Sequence, residues 1–142
     1  GGSLLYLWDV LKPAKIWGID SFEGLPESTV ELNDGWSKGK FSADPRRTVT
    51  MKLGAHRAGF VKGFYNVSLK DTLVHHRQMA PARYVDIDCD LYESSYQALD
   101  FMFRNHLIQP GTFIGYDDMW VLPCANDIGP LTVGEGKAHA EM

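Results

Sequence analysis

Short apolar segments typical of β-strands alternate with helix-like segments along most of this chain. The strand-like segments are residues 15–20, 59–65, 82–90 and 112–118, and the helix-like segments are residues 3–11, 68–79 and 94–108. This alternation is the pattern of a parallel sheet whose faces are covered by helices. A chain of 142 residues fits one domain of this kind. We therefore predict an α/β fold for residues 1–142.

Acidic residues lie at the ends of three of these predicted strands. Asp20 ends the first, Asp88 lies at the end of the third, and Asp117 and Asp118 end the fourth. In open α/β sheets, ligands bind beyond the carboxyl ends of the strands. An acid at the end of an early strand commonly accepts hydrogen bonds from ribose hydroxyls, and Asp20 fits that role. The alternative is that Asp20 only starts a turn.

The segment YVDIDCDLYESS, residues 84–95, places three aspartates on one face of a predicted strand. Asp88 lies at the strand end, where a ligand would bind. Asp86 lies one step earlier along the same face, so we expect it to have a structural partner. Asp90 begins the turn into the next helix, and the sequence assigns no role to it.

Asp88, Asp117 and Asp118 form a candidate metal site. Adjacent strands of a sheet are about 4.8 Å apart, so carboxylates at the ends of neighbouring strands can converge on one ion. Convergent carboxylates repel one another unless a cation or a proton separates them. Oxygen-only ligands suit a hard divalent cation such as Mg²⁺. The alternative is that Asp117 and Asp118 cap the following helix, and spacing alone does not separate the two interpretations.

Composition and charge argue against several classes of partner. The formal net charge of −4 and the absence of a basic cluster argue against nucleic acid. No apolar run approaches the roughly 20 residues of a membrane span, and the first residues lack the features of a signal peptide. Cys89 and Cys124 form no CxxC pattern, which favours a reducing compartment. We expect a cytoplasmic protein without a membrane or nucleic-acid partner.

Serine residues are candidate caps for two of the predicted helices. Ser3 precedes the first apolar helical run, and Ser94 or Ser95 precedes the longest one. The sequence GEGKAHAEM, residues 134–142, is predicted to begin a further helix.

Two segments allow no single interpretation. Residues 23–45 are rich in glycine, proline, serine and acids, and a loop of that length is usually a lid, a binding loop or disordered. In residues 46–53, Val49, Met51 and Leu53 alternate as in a strand. The preceding Asp44 and Pro45 instead favour a helix start.

Four segments together resemble the macrocin O-methyltransferase (TylF/MycF-like) family of S-adenosylmethionine enzymes. They are IWGIDSFEGLPES, VKGFYNVSLKDTL, DIDCDLYESSYQALDFM and QPGTFIGYDD, in this order, with a weaker similarity at GEGKAHAEM. The resemblance implies a Rossmann-like class I methyltransferase fold with S-adenosylmethionine as the methyl donor. It also implies Mg²⁺ held by Asp88, Asp117 and Asp118, and a small-molecule acceptor with neighbouring hydroxyls, such as a sugar or another natural product.

The same resemblance assigns further roles by position. Asp20 would bind the ribose with Ser21 and Phe22 beside it, and Phe64 and Tyr65 would lie against the adenine ring. Gly1, Gly2 and Ser3 match the end of the family's glycine-rich loop beside the methionine part of the cofactor, although these residues also resemble a cloning remnant. The complete set of cofactor-binding residues is then Gly1, Gly2, Ser3, Asp20, Ser21, Phe22, Phe64, Tyr65 and Asp88. The acceptor-side lid would contain Trp36, Gly39 and Phe41.

The chain departs from the family pattern at both ends. The family's first strand would precede residue 1, and its last two strands would follow Met142. In the class I fold the first strand separates the second from the fourth, so we expect two separate strand pairs and an incomplete domain. An unpaired inner edge is unfavourable for a parallel sheet. We expect these 142 residues alone to bind S-adenosylmethionine weakly or not at all, and calorimetry showing micromolar binding would contradict this.

The general base and the acceptor stay unassigned. Two alternatives to the O-methyltransferase remain: a non-catalytic remnant of such a domain, and a metal-dependent hydrolase that uses the same acids. The sequence is also compatible with a homo-oligomer. The histidines that are candidate bases by chemistry alone are His56, His75, His76, His106 and His139.

Overall fold

The computed structural model describes residues 2–27, 37–120, 123–124 and 128–142. The chain divides into two compact units. The first contains the residues up to 26 together with 38–64, and the second contains the rest.

The first unit is built around a parallel pair of strands. Its elements are α1 (Gly2–Leu11), β1 (Ile16–Asp20), α2 (Arg46–Leu53) and β2 (Ala58–Lys62). In the register of the pair, Ile16 lies opposite Ala58 and Asp20 lies opposite Lys62. Val49 of α2 is fully buried, and α2 contacts β2. The strand order therefore places Asp20 at the carboxyl end of this pair.

The second unit is built around another parallel pair. Its elements are α3 (Tyr65–Ser68), α4 (Thr72–Arg77), β3 (Tyr84–Ile87), α5 (Tyr92–Arg104), β4 (Phe113–Tyr116) and α6 (Gly134–Ala140). Ile87 lies opposite Tyr116 at the carboxyl end of the pair. The helices α5 and α6 pack against each other, and their apolar sides meet the strands in one core. The buried residues of that core are Val85, Ile87, Ala98, Leu99 and Ala138.

The predicted α/β class is confirmed, and so is the expected division into two strand pairs. In the described residues, β1 pairs with β2 and β3 pairs with β4, and both pairs are parallel. Every strand is shorter than its predicted segment; β1, β3 and β4 lie within theirs, whereas β2 begins at Ala58, one residue before the predicted segment 59–65. The third prediction ran from 82 to 90, whereas β3 ends at Ile87, so Asp88 is the first residue after the strand.

The predicted serine caps are wrong. The helix α5 begins at Tyr92 with Leu91 as its N-cap, so neither Ser94 nor Ser95 caps it. The Ser95 hydroxyl instead donates a hydrogen bond to the carbonyl oxygen of Leu91 at 2.9 Å, one turn back. Ser3 likewise lies inside α1, which already includes Gly2.

Residues 46–53 form a helix, which decides between the two interpretations of that segment. Val49 is fully buried, whereas Met51 is 76% exposed, as expected for a helix and not for a strand that buries one face. The backbone N–H of Arg46 donates a hydrogen bond to the Asp44 carboxylate at 3.2 Å. The helix that Asp44 and Pro45 predicted is therefore present, but it begins one residue later than expected, because Pro45 and not Asp44 is its N-cap.

The single helix predicted over residues 68–79 is shorter in the structure. The turn α3 ends at Ser68, and α4 runs only from Thr72 to Arg77 before Gln78 takes a left-handed conformation with φ of 51°. The helix predicted at GEGKAHAEM is confirmed as α6. Within the part of the chain that the structure describes, none of the helices has the length and apolar character required to cross a bilayer.

Candidate functional site

The three acids of the predicted metal site lie together in the second unit. Asp88 follows β3 directly, and Asp117 and Asp118 follow β4. One carboxylate oxygen from each residue can be chosen so that all three atoms lie within 4.8 Å of one another. The parallel register explains this convergence, because the Asp117 backbone N–H continues the ladder by donating to the Ile87 carbonyl at 3.0 Å. Whether the group holds a cation stays a prediction.

The electrostatics of this acid cluster depend on unequal burial. Asp88 and Asp117 are exposed, and Asp118 is half-buried. Burial raises the pKa of Asp118, a side-chain hydrogen bond with Asp90 lowers it, and the nearby charge of Asp117 raises it. The crowding of these carboxylates is unfavourable in the absence of a cation. A cation bound on the exposed side would relieve it.

The other two aspartates of the YVDIDCDLYESS segment have different surroundings. Asp86 is exposed and accepts a hydrogen bond from the Tyr84 hydroxyl at 2.9 Å, which is the structural partner that was expected. Asp90 adopts a left-handed backbone conformation with φ of 60° at the turn into α5. Aspartate tolerates this conformation better than most residues. The three aspartates of this segment therefore differ in their surroundings.

Glu135 is a residue of this region that the sequence did not single out. It is 1% exposed and lies in the first turn of α6. Its Oε1 accepts a hydrogen bond from the Cys89 backbone N–H at 3.1 Å, and its Oε2 accepts one from the Asp118 backbone N–H at 3.0 Å. Burial raises the pKa of Glu135 to about 7, although the backbone N–H groups partly offset this. Glu135 thus joins the two segments that carry the acid cluster.

In the first unit, Asp20 organises a tight turn after β1. Its Oδ1 accepts a hydrogen bond from the Phe22 backbone N–H at 2.7 Å and another from the Ser21 hydroxyl at 3.3 Å. Asp20 is exposed, whereas Ser21 and Phe22 are buried. The Phe22 ring packs edge-on against Phe60 and lies beneath the Arg46 guanidinium. Asp20 therefore presents its carboxylate at the strand end while its two neighbours stabilise the turn.

The remaining predicted cofactor-binding residues are divided between the two units. Gly2 and Ser3 are exposed in the first turn of α1, and Phe64 follows β2 in the first unit. Tyr65 opens α3 in the second unit, where its hydroxyl lies 3.5 Å from the Cys89 Sγ. Gly1 lies outside the described residues. All of these assignments stay predictions.

The predicted lid is described only in part. Gly39 and Phe41 lie in a turn over residues 38–41, and the Phe41 side chain is 67% exposed. Trp36 lies outside the described residues. Among the candidate bases, His139 contacts β4, with its Nδ1 3.0 Å from the Tyr116 hydroxyl.

Comparison with known families decides the affiliation of the chain. The model of the macrocin-O-methyltransferase (TylF) family matches residues 1–129. The chain belongs to the macrocin-O-methyltransferase family. No curated protein matches the sequence significantly.

Two solved methyltransferases are similar in structure. The calicheamicin methyltransferase CalS11 superposes with a TM-score of 0.65 at 16% identity, over 90% of this chain and 51% of that chain. The O-methyltransferase NovP gives a TM-score of 0.49 at 18% identity, over 79% of this chain and 48% of that chain. The similarity to CalS11 shows that this family member has the methyltransferase fold. The chain spans about half the length of each solved relative.

The DSFEGLP motif of this macrocin-O-methyltransferase family member depends on Gly24. Gly24 has a φ of 86°, and a Cβ there would overlap the carbonyl oxygens of Gly39 and Lys40. The close approach comes from two backbone hydrogen bonds, Leu25 N–H to the Lys40 carbonyl and Gly39 N–H to the Leu25 carbonyl, both 2.9 Å. Glycine is therefore required for conformation and for space.

We expect Gly24→Ala to lower the free energy of unfolding by about 1–3 kcal/mol, because the added methyl group forces the two backbone segments apart. The matched control is Gly39→Ala, since Gly39 also has a positive φ of 80° but has nothing within 4 Å of its added Cβ. Urea denaturation of the parent and of the two variants measures the free energy of unfolding of each. Equal losses for the two variants would contradict the role of close approach.

Proposed function

We propose that this protein is an S-adenosylmethionine-dependent O-methyltransferase that methylates a hydroxyl of a sugar or another natural product, with Mg²⁺ held by Asp88, Asp117 and Asp118. The observation that carries the proposal is the convergence of these three carboxylates at the carboxyl ends of β3 and β4. Family membership over residues 1–129 supports methyl transfer over hydrolysis as the use of these acids.

The residues present fit a magnesium ion. Among three oxygen ligands of one octahedral Mg²⁺, at least two pairs are neighbours, and bonds of about 2.1 Å place the oxygens of such a pair about 3 Å apart. The ligand oxygens of Asp88, Asp117 and Asp118 lie within 4.8 Å of one another, so side-chain rotations would bring them onto one ion. The donor set is made of oxygen only, as Mg²⁺ prefers. Because Asp88 and Asp117 are exposed, water or an acceptor could reach an ion that these residues held.

Different residues of the chain would bind the acceptor and the cofactor. Bound Mg²⁺ would lower the pKa of an acceptor hydroxyl and fix the position of its oxygen. Asp88, Asp117 and Asp118 would hold that ion at the ends of β3 and β4, and an acceptor fixed beside it would be oriented for transfer. In the first unit, the exposed carboxylate of Asp20 would accept hydrogen bonds from the ribose of S-adenosylmethionine.

Methyl transfer from labelled S-adenosylmethionine by the full-length protein tests the proposal. We expect transfer to hydroxylated sugar acceptors with Mg²⁺, loss of transfer in a chelator, and recovery when excess Mg²⁺ is added. Full activity in the chelator would contradict the metal role. Failure to bind S-adenosylmethionine in calorimetry would instead favour a non-catalytic remnant of the family.

A further inference from the structure

Glu135 connects the two segments that carry the acid cluster. Cys89 lies between Asp88 and Asp90, and its backbone N–H donates to Oε1 of Glu135. Asp118 donates its own backbone N–H to Oε2. Each oxygen of one carboxylate is therefore bonded to a different segment. Since both donors are backbone groups, the carboxylate fixes the spacing of the main chains from which the acids project.

The helix that carries Glu135 is held close to the core. Gly134, Gly136 and Ala138 are all buried, and Ala138 is part of the core beneath β3. Gly136 has no room for a side chain, because an added Cβ would overlap the Pro130 carbonyl oxygen. Interiors packed this closely resist small displacements. Glu135 therefore acts from a fixed position.

A carboxylate suits this position better than an amide does. An ionised glutamate accepts hydrogen bonds at both oxygens, whereas glutamine offers one oxygen and an NH₂ group that can only donate. Cys89 and Asp118 both offer backbone N–H donors to Glu135, so a glutamine amide would face one of these donors with its own NH₂ group. Hydrogen bonds to an ionised group are also stronger than neutral ones. The bridge thus depends on the carboxylate.

We propose that Glu135 is a positioning residue that sets the spacing between the Asp88 and Asp118 segments and thereby tunes their affinity for a divalent cation. The inference rests on the proposed function, because it concerns the same acid cluster. Groups behind the direct ligands of a metal commonly change its affinity about 10–100-fold when they are replaced. We expect Glu135→Gln to weaken cation binding by that factor.

Binding of Mn²⁺, followed by electron paramagnetic resonance on the full-length protein, measures the affinity without any methyl transfer. The matched control is Glu141→Gln. Glu141 lies just beyond the C-terminus of α6, and its exposed carboxylate accepts a hydrogen bond from the Tyr92 hydroxyl. We expect this control to keep the parent affinity. Glu135→Asp is a second variant: it keeps the charge but is one methylene shorter, so it cannot reach both segments and we expect weakened binding here too.

Hydrogen exchange followed by NMR tests the bridge itself. In Glu135→Gln or Glu135→Asp, we expect faster exchange at the amide of Cys89, of Asp118, or of both, while Leu99 in the core stays protected. Parent affinity in both variants would overturn the inference, and so would faster exchange with unchanged affinity. An absence of Mn²⁺ binding in the parent protein would instead refute the metal part of the proposed function, and the inference would fail with it.

Discussion

Asp88→Asn is expected to weaken Mg²⁺ binding by at least about 100-fold and to lower methyl transfer with it. Replacing a group behind a metal ligand already lowers the metal affinity about 10–100-fold, so the loss of a ligand should lower it by at least the upper end of that range. The substitution keeps the shape of the side chain but removes one charge from a cluster whose oxygens lie within 4.8 Å of one another. Mn²⁺ binding and labelled methyl transfer by the full-length protein measure the two effects.

Asp86→Asn is the matched control for this experiment. Asp86 lies two residues earlier and is also exposed, but its Oδ1 accepts the Tyr84 hydroxyl and it is not part of the acid cluster. We expect it to retain cation affinity and activity. Equal losses in the two variants would show that general negative charge on β3 attracts the cation, and would contradict a specific role for Asp88.

The positions of the acids could be predicted from the sequence because they follow from the geometry of parallel strands. An apolar run followed by an acid predicts an acid at a strand end, and parallel neighbours bring such ends to one edge. The structure shows why Asp88 and Asp117 meet: Ile87 lies opposite Tyr116, and each aspartate is the next residue. This part of the candidate site is encoded locally, strand by strand.

The hydrogen bonds between Glu135 and the two acid-bearing segments could not be predicted in that way. The backbone donors at Cys89 and Asp118 are 46 and 17 residues away from Glu135 in sequence, and the contacts depend on how α6 packs. That packing depends in turn on the missing side chain of Gly136, which no periodicity reveals. The available signal was an acid between two glycines in GEGKAHA, a pattern that predicts a helix start but not a buried bridge.

The errors at helix starts have a related cause. Serine is a favoured N-cap, so Ser94 and Ser95 were reasonable candidates for the longest helix. Leu91 instead occupies the cap position and is 1% exposed. The helix thus starts next to a buried leucine, whereas the capping preference of serine predicted a start further along the chain. The Ser95 side chain then satisfies its hydrogen bond within the helix.

Leu99→Ala is expected to lower the free energy of unfolding by about 2–5 kcal/mol. Leu99 is 1% exposed at the centre of the core that joins α5 to Val85 and Ile87 of β3. Truncation removes buried apolar surface and leaves a cavity that closely packed neighbours fill only in part. The shift of the urea midpoint at constant slope measures the loss.

Phe103→Ala is the control on the same helix, because Phe103 is larger but 41% exposed. If burial governs the effect, the smaller truncation at Leu99 should destabilise more than the larger one at Phe103. The opposite order would mean that α5 is held mainly by the face that carries Phe103.

Since β3 ends directly before Asp88, Leu99→Ala should also weaken Mn²⁺ binding. An unchanged affinity would show that the acid cluster tolerates a loosened core.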